Sequence, residues 1–83
     1  MLDAIVTSLG NTNTLVAIPT VEIELKALVG KRARYLDNSD RNWEGTVTGL
    51  EDPGVIVKFE KFPTGIGQGQ IIHILDDGEE ESD

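Results

Sequence analysis

Six short β-prone runs, separated by turn residues, constrain the fold of this chain more than any other feature. Each run is rich in β-branched and other apolar residues, and glycine, asparagine, aspartate or proline stands between them, as turns require. The runs cover residues 2–9, 14–18, 31–36, 45–50, 55–59 and 70–74. They predict six strands, the first two joined as a hairpin and the last four as a meander.

The segment 21–29 admits two interpretations. A possible capping hydroxyl at Thr20, good helix formers within the segment and a glycine at Gly30 favour a helix. Apolar and charged residues alternate over 21–26, however, which is the period of a half-buried strand. Because residues 27–29 break the alternation, we predict one short helix. The predicted fold class is therefore α+β, a mostly antiparallel sheet of about six strands with one short helix.

The acidic residues are concentrated at the end of the chain. Of its 15 Asp and Glu residues, six fall between Asp76 and Asp83, and without them nine acids face seven bases, a formal charge of −2 instead of −8. No apolar residue occurs after Leu75, so we predict one domain over 1–75 and a disordered acidic tail over 76–83. A basic protein is a possible partner, whereas nucleic acid is an unlikely one.

Composition also limits the chemistry that is available. The chain has no cysteine, which excludes disulfides and thiolate metal sites. Residues 1–6 lack the basic stretch typical of a secretory leader, and no apolar run approaches the roughly 20 residues of a membrane span, so we expect a cytoplasmic protein without membrane contact. The one histidine, His73, lies in an apolar run without a nucleophile to activate, and the glycine-rich stretch 62–69 lacks the lysine and the helix of a phosphate loop. We therefore predict no enzymatic activity.

The connection after residue 36 is rich in oxygen donors, which are the ligands of calcium. Asp40, Asn42, Glu44, Gly45, Val47 and Glu51 resemble an EF-hand loop in spacing. A strand over 45–50 would hold its ends about 17–20 Å apart, so Glu51 could not close over an ion at Asp40. The strand is the favoured interpretation, since Thr46, Val47 and Thr48 have high β propensity.

A strand meander would gather the carboxylates into two clusters, one at each end of the sheet. Asp37, Asp40, Asn42 and Glu44 belong to one end, with Glu60 returning to it, and Glu51, Asp52, Asp76 and Asp77 belong to the other. A divalent cation would relieve the repulsion within each cluster, which predicts weak binding of Ca²⁺, with Mg²⁺ as a competitor. Alternatively, these residues only form turns, in which they bond their own backbone and keep the surface soluble.

Two further features have open roles. Trp43 lies among the acids of the first cluster, where it either covers the open end of the meander, the favoured role, or anchors a partner. Lys31, Arg32 and Arg34 form the one basic cluster, which would balance the acidic turns or bind the tail in cis.

In length, in its acidic segment 37–52 and in its charged end, the chain resembles a small calcium-binding protein family of methanogenic archaea with an unusual α/β fold. That resemblance implies calcium as the ligand. Residues 30–59, in which Gly45, Thr46 and Val47 follow a long turn, are similar to the central strands of SH3-like barrels, which implies a protein-binding adaptor. The expected function is thus a non-enzymatic calcium-binding protein, and the alternative is an SH3-like interaction module with an acidic tail that engages a basic partner.

Overall fold

The computed structural model describes residues 2–10, 12–37, 39–63 and 65–75, which form a closed barrel of six antiparallel strands. The strands are β1 (Leu2–Leu9), β2 (Thr14–Pro19), β3 (Arg32–Leu36), β4 (Asn42–Glu51), β5 (Gly54–Phe59) and β6 (Ile71–Ile74). One turn of 3₁₀ helix, Leu25–Leu28, lies between β2 and β3. All six predicted strands are present, and β4 begins three residues earlier than its predicted start.

The strand order determines the path that each connection takes around or across the barrel. Around the barrel the order is β1, β2, β5, β4, β3 and β6, and β6 pairs with both β3 and β1. Because β5 and β4 lie between β2 and β3, residues 20–31 must cross one end of the barrel. We call this the crossover end, which also holds the turn 52–53. The loop end, opposite, holds residues 37–41 and the connection 60–70.

The barrel core is built from alternate positions of the strands, whose side chains point inward. Its fully buried members include Val6, Leu15, Val47, Val55, Val57, Phe59, Ile72 and Ile74. Leu28, from the crossing segment, is 1% exposed and fills the crossover end, while Ile66 and the partly buried Phe62 pack on the core from the connection 60–70. Among the described residues no polar or charged residue is buried.

Two strands bend so that the barrel can close. The register of β1 shifts between Val6 and Ser8, and that of β4 shifts between Val47 and Gly49. Such bulges bend a strand and increase its twist. Gly45 lies where β4 approaches β5 most closely, since a Cβ atom there would stand 2.6 Å from the carbonyl oxygen of Lys58. A side chain at this position would push the two strands apart.

The prediction of an α+β fold is wrong. The described chain is almost entirely β-structure, and the helix predicted over 21–29 is reduced to the single 3₁₀ turn Leu25–Leu28. The expected capping hydroxyl of Thr20 instead donates to the carbonyl oxygen of Asp3 at 3.2 Å, as the backbone N–H of Thr20 does at 3.0 Å. Thr20 therefore extends the contact of β2 with β1 and does not begin a helix.

Tertiary packing explains why the segment does not form a longer helix. The chain must cross the barrel end and insert Leu28 into it, and Leu25 packs on the same core one turn earlier. In a 3₁₀ turn the side chains at i and i+3 lie on the same side, so four residues suffice for both contacts. Gly30 then takes a φ of 94° and donates to the carbonyl oxygen of Val47, which returns the chain to the barrel.

The predicted tail, residues 76–83, lies outside the described residues. The last described residue, Leu75, donates its backbone N–H to the carbonyl oxygen of Arg32 at 2.8 Å, so the chain leaves the barrel beside β3. Within the part of the chain that the structure describes, no helix has the length and apolar character needed to cross a membrane.

Leu28 tests whether the crossing segment contributes to the core. We expect Leu28→Ala to lower the free energy of unfolding by about 2–5 kcal/mol, because it removes a fully buried side chain and leaves a cavity. Val29→Ala, at a neighbouring side chain that is 44% exposed, should cost less than about 0.5 kcal/mol. Urea unfolding of both variants measures the difference. Equal losses would show that the barrel end closes without Leu28.

Candidate functional site

Asp37 organises the acidic loop between β3 and β4. Its Oδ1 accepts hydrogen bonds from the backbone N–H groups of Ser39 at 2.8 Å and Arg41 at 2.9 Å, and its Oδ2 accepts one from the indole N–H of Trp43 at 3.0 Å. Asp40 takes a positive φ of 62° and donates its backbone N–H to the Asp37 carbonyl oxygen at 3.0 Å. The Asp37 carboxylate thus stabilises the turn that contains it.

These bonds also favour the charged form of Asp37. The hydrogen bond from Trp43 is the largest cause that lowers the pKa of the Asp37 carboxyl from its ordinary value of 3.8, and the backbone N–H of Arg41 acts in the same direction. With these three donors Asp37 holds the turn that contains it. Its role as a calcium ligand stays a prediction from the sequence.

Trp43 lies at the same loop end, half-buried and packed against the barrel core. The guanidinium of Arg41 stands 5.7 Å from the centroid of its indole ring. The indole N–H of Trp43 is bonded to Asp37, and the face of the ring is near Arg41. The rest of the side chain contacts the core. Trp43 thus has the position of a cover over this end of the barrel.

The other predicted ligands at the loop end are accompanied by basic groups. Glu44 accepts a hydrogen bond from Arg32 at 2.8 Å, on the exposed outer face of β3 and β4. A depression of about 400 Å³ is lined by Arg41, Asn42, Trp43, Glu44, Glu60 and Lys61. It holds two carboxylates and two basic groups, so its charges nearly balance. The structure brings Glu60 back to Glu44, but into a mixed surface and not into a purely acidic one.

The EF-hand-like spacing has a different explanation in the structure. Residues 42–51 form one ten-residue strand, which holds Asp40 and Glu51 at opposite ends of the barrel. The glycine of the pattern, Gly45, is needed for close contact with β5. Val47, its apolar position, is a core residue at 1% exposure. The pattern thus matches strand packing and not a loop around an ion.

The second predicted cluster is only partly described. At the crossover end Glu51 is the last residue of β4 and Asp52 begins the turn to β5, while Asp76 and Asp77 lie outside the described residues. β6 ends at the same end of the barrel, but it is flanked by β3 and β1, so it is not adjacent to β4 or β5, the two strands that the turn joins. Nowhere in the described ranges do three or more histidine, aspartate or glutamate side chains come close enough to hold a metal ion.

The remaining candidates have structural partners. His73, on the outer face of β6, bonds through Nδ1 to Asp3 Oδ1 at 2.8 Å, and Asp3 is its cross-strand neighbour on β1. The glycine-rich connection places Ile66 in the core, with Gly65 and Gly69 at positive φ of 84° and 89°. Gln70 beside it bonds the hydroxyl of Tyr35. These contacts close the loop end of the barrel.

A groove at the crossover end was missed by the sequence reasoning. It measures about 590 Å³ and lies between the crossing segment and the turn from β4 to β5. Its lining residues are Pro19, Val21, Glu22, Ile23, Glu24, Leu25, Asp52 and Pro53. We call it the crossover groove.

The crossover groove combines exposed apolar side chains with carboxylates. Val21 is 55% and Ile23 is 42% exposed, although both are large apolar residues. Glu22, Glu24 and Asp52 supply three acidic groups, and none of the lining residues named above is basic. Exposed apolar surface with a polar rim is typical of sites that bind other molecules. The one sequence signal for this groove is the alternation over 21–26, which the helix prediction set aside.

The bonds of Asp37 predict a pH effect on stability. Because its folded pKa is lowered, its contribution is fully present above the unfolded pKa and is lost as the pH falls through the folded value. We expect Asp37→Asn to destabilise the protein at neutral pH, and the difference from wild type to shrink towards zero as the pH falls through the lowered pKa of Asp37. Urea unfolding across this pH range measures it. Asp40→Asn, which keeps the three Asp37 bonds, is the control, and a pH-independent difference for Asp37→Asn would contradict the prediction.

Comparison with other proteins adds no evidence to this description. The sequence matches no protein-family model and no curated protein. The proposals below therefore depend on the geometry and charge of this chain alone.

Proposed function

We propose that this chain is a non-catalytic interaction module that binds a positively charged segment of a partner protein in the crossover groove. The observation that carries the proposal is the composition of the groove, in which exposed apolar side chains lie between carboxylates. It agrees with the expected alternative of a basic partner, but it moves the binding surface from Trp43 and the tail to the groove.

Apolar groups in the groove would supply most of the affinity. Burial of apolar surface contributes about 25 cal/mol per Å², and Val21 and Ile23 both have such surface exposed to solvent. Leu25 contributes a partly buried floor that is attached to the barrel core. A partner side chain placed over Val21 and Ile23 would therefore remove apolar area from water on a rigid support.

The carboxylates would increase the selectivity for basic partners and the rate of association. Exposed ion pairs contribute little each, about 0.2–1 kcal/mol, but a surface of one sign attracts partners of the opposite sign and repels others. The formal net charge of −8 for the whole chain acts in the same direction. Binding should thus weaken as ionic strength increases.

Calcium binding stays a prediction from the sequence. Two of its proposed ligands are already bonded, Asp37 to the loop it organises and Glu44 to Arg32. In the described part of the chain, no three side chains of the metal-ligating types lie close enough together to hold one metal ion. The groove therefore has more support than a metal site among these residues.

Neutralising the groove tests the proposed function. The probe is a nine-residue peptide of alternating lysine and valine, blocked at both ends and titrated into the full ¹⁵N-labelled chain. We expect saturable NMR shifts in residues 19–25 and 52–54, and about fivefold weaker binding to the double variant Glu22→Gln/Glu24→Gln, because two ion pairs of about 0.5 kcal/mol are lost.

Asp40→Asn/Glu60→Gln is the matched control, since it removes the same charge from the loop end. Its affinity should stay within about twofold of wild type. Equal weakening of both double variants would mean that only the net charge attracts the peptide, and shifts outside the groove would place the binding surface elsewhere. Either result would refute the proposal.

A calcium titration distinguishes the two functions. We expect calcium to shift resonances of the described residues only as sodium does at matched ionic strength, through screening. Residue-resolved NMR of the full chain and of a chain that ends at Leu75 measures this. Saturable shifts at Glu51 and Asp52 near about 10⁻⁴–10⁻³ M calcium, retained after truncation, would instead support a metal site in the barrel.

A further inference from the structure

The segment 21–24 belongs to no strand and no helix, and the chain bends at Val21. It follows β2 and precedes the 3₁₀ turn, and Glu24 has an extended backbone with φ −68° and ψ 113°. Within the described chain, the backbone groups of Val21, Glu22 and Ile23 make no hydrogen bond to other backbone groups. All four residues are exposed to solvent. The N–H and C=O groups of residues 21–23 are thus available to another chain, whereas the C=O of Glu24 accepts the backbone N–H of Ala27 at 3.0 Å.

Each of the six described strands has a neighbouring strand on both sides, so the barrel has no edge strand along whose whole length a further strand could be added. Segment 21–24 also forms one wall of the crossover groove, where it faces Asp52 and Pro53. The unpaired backbone and the groove are therefore parts of one surface.

Side chains on this segment alternate in character as those of a strand do. Val21 and Ile23 are apolar, and Glu22 and Glu24 are acidic. Residues directly opposite each other in paired strands share a face and interact. A partner strand would match this segment with apolar residues opposite Val21 and Ile23 and with basic residues opposite the two glutamates.

We propose that the crossover groove binds its partner by strand addition, in which an extended segment of alternating basic and apolar residues pairs its backbone with residues 21–24. This inference rests on the proposed function and specifies the partner's conformation and sequence pattern. Pairing is short, because Pro19 on one side has no N–H to donate and the 3₁₀ turn begins at Leu25 on the other. The recognised core is thus about four residues long.

A second copy of this chain does not fit the groove. Two copies each carry a formal charge of −8, and the groove adds carboxylates from both sides. The basic cluster of the chain includes Arg32 and Arg34, which lie in β3, and β3 is paired with β4 and β6 inside the barrel. The partner is therefore a different protein with a basic extended segment.

N-methylated peptides test strand addition without changing the protein. Along a strand, the N–H groups of alternate residues point to the same side, so only one of the two alternate sets can face residues 21–24. Two forms of the lysine–valine peptide are compared with the parent peptide, one methylated on the valine nitrogens and one on the lysine nitrogens. We expect one form to lose at least tenfold in affinity for the full chain and the other to stay within about threefold of the parent.

The outcomes separate this inference from the proposed function. If the parent peptide binds the groove and both methylated forms bind as well as it does, or lose affinity equally, strand addition is wrong while the groove remains the binding surface. If the parent peptide does not bind, both proposals fail. Concentration-dependent shifts of residues 21–24 without peptide would indicate pairing between copies, which also overturns the inference.

Amide hydrogen exchange of the protein is an independent test of strand addition. Free amides in an exposed segment exchange quickly, and amides in a new ladder are protected. In the complex we expect at least tenfold slower exchange at alternate positions within 21–24, with no change at Ser39 and Asp40 of the loop end, whose amides are already bonded to Asp37. Unchanged exchange rates at all four positions in the saturated complex would contradict strand addition.

Discussion

Closure of the barrel by β6 is the constraint on which the rest of the structure depends. This strand has only four residues, yet it pairs with β1 on one side and with β3 on the other. Without it, β1 and β3 would be open edges, which expose unpaired backbone groups and invite aggregation. Closure in this order also leaves β2 and β3 apart, so the chain between them must cross the barrel end.

That crossing accounts for both the stability of the end and the candidate site. Leu28 fills the barrel opening, and the residues before it cannot join any ladder because every neighbouring strand is already paired. Segment 21–24 is therefore left exposed beside the turn from β4 to β5. The topology that completes the barrel's hydrogen bonding thus leaves unpaired backbone on this crossing segment, and that is where apolar and acidic side chains meet.

Local signals predicted the strands well, because β-branched residues and turn residues act over a few positions. The helix failed for a non-local reason, since Thr20 bonds Asp3 and Leu28 must reach the barrel end, and both contacts are set by strand order. The crossover groove could not be predicted from spacing, because it combines residues 19–25 with residues 52–53. Strand order alone brings them together.

The type of an acidic residue does not by itself identify the function of that residue. Asp37 and Glu22 are both carboxylates in connections between strands, and composition does not distinguish them. Three protein donors bond to the oxygens of Asp37, and these hydrogen bonds lower the pKa of its carboxyl. Glu22 has no such donor in the described chain, and it adjoins the exposed Val21 and Ile23. A carboxylate that is already bonded stabilises its own fold, whereas one beside exposed apolar surface is available to a partner.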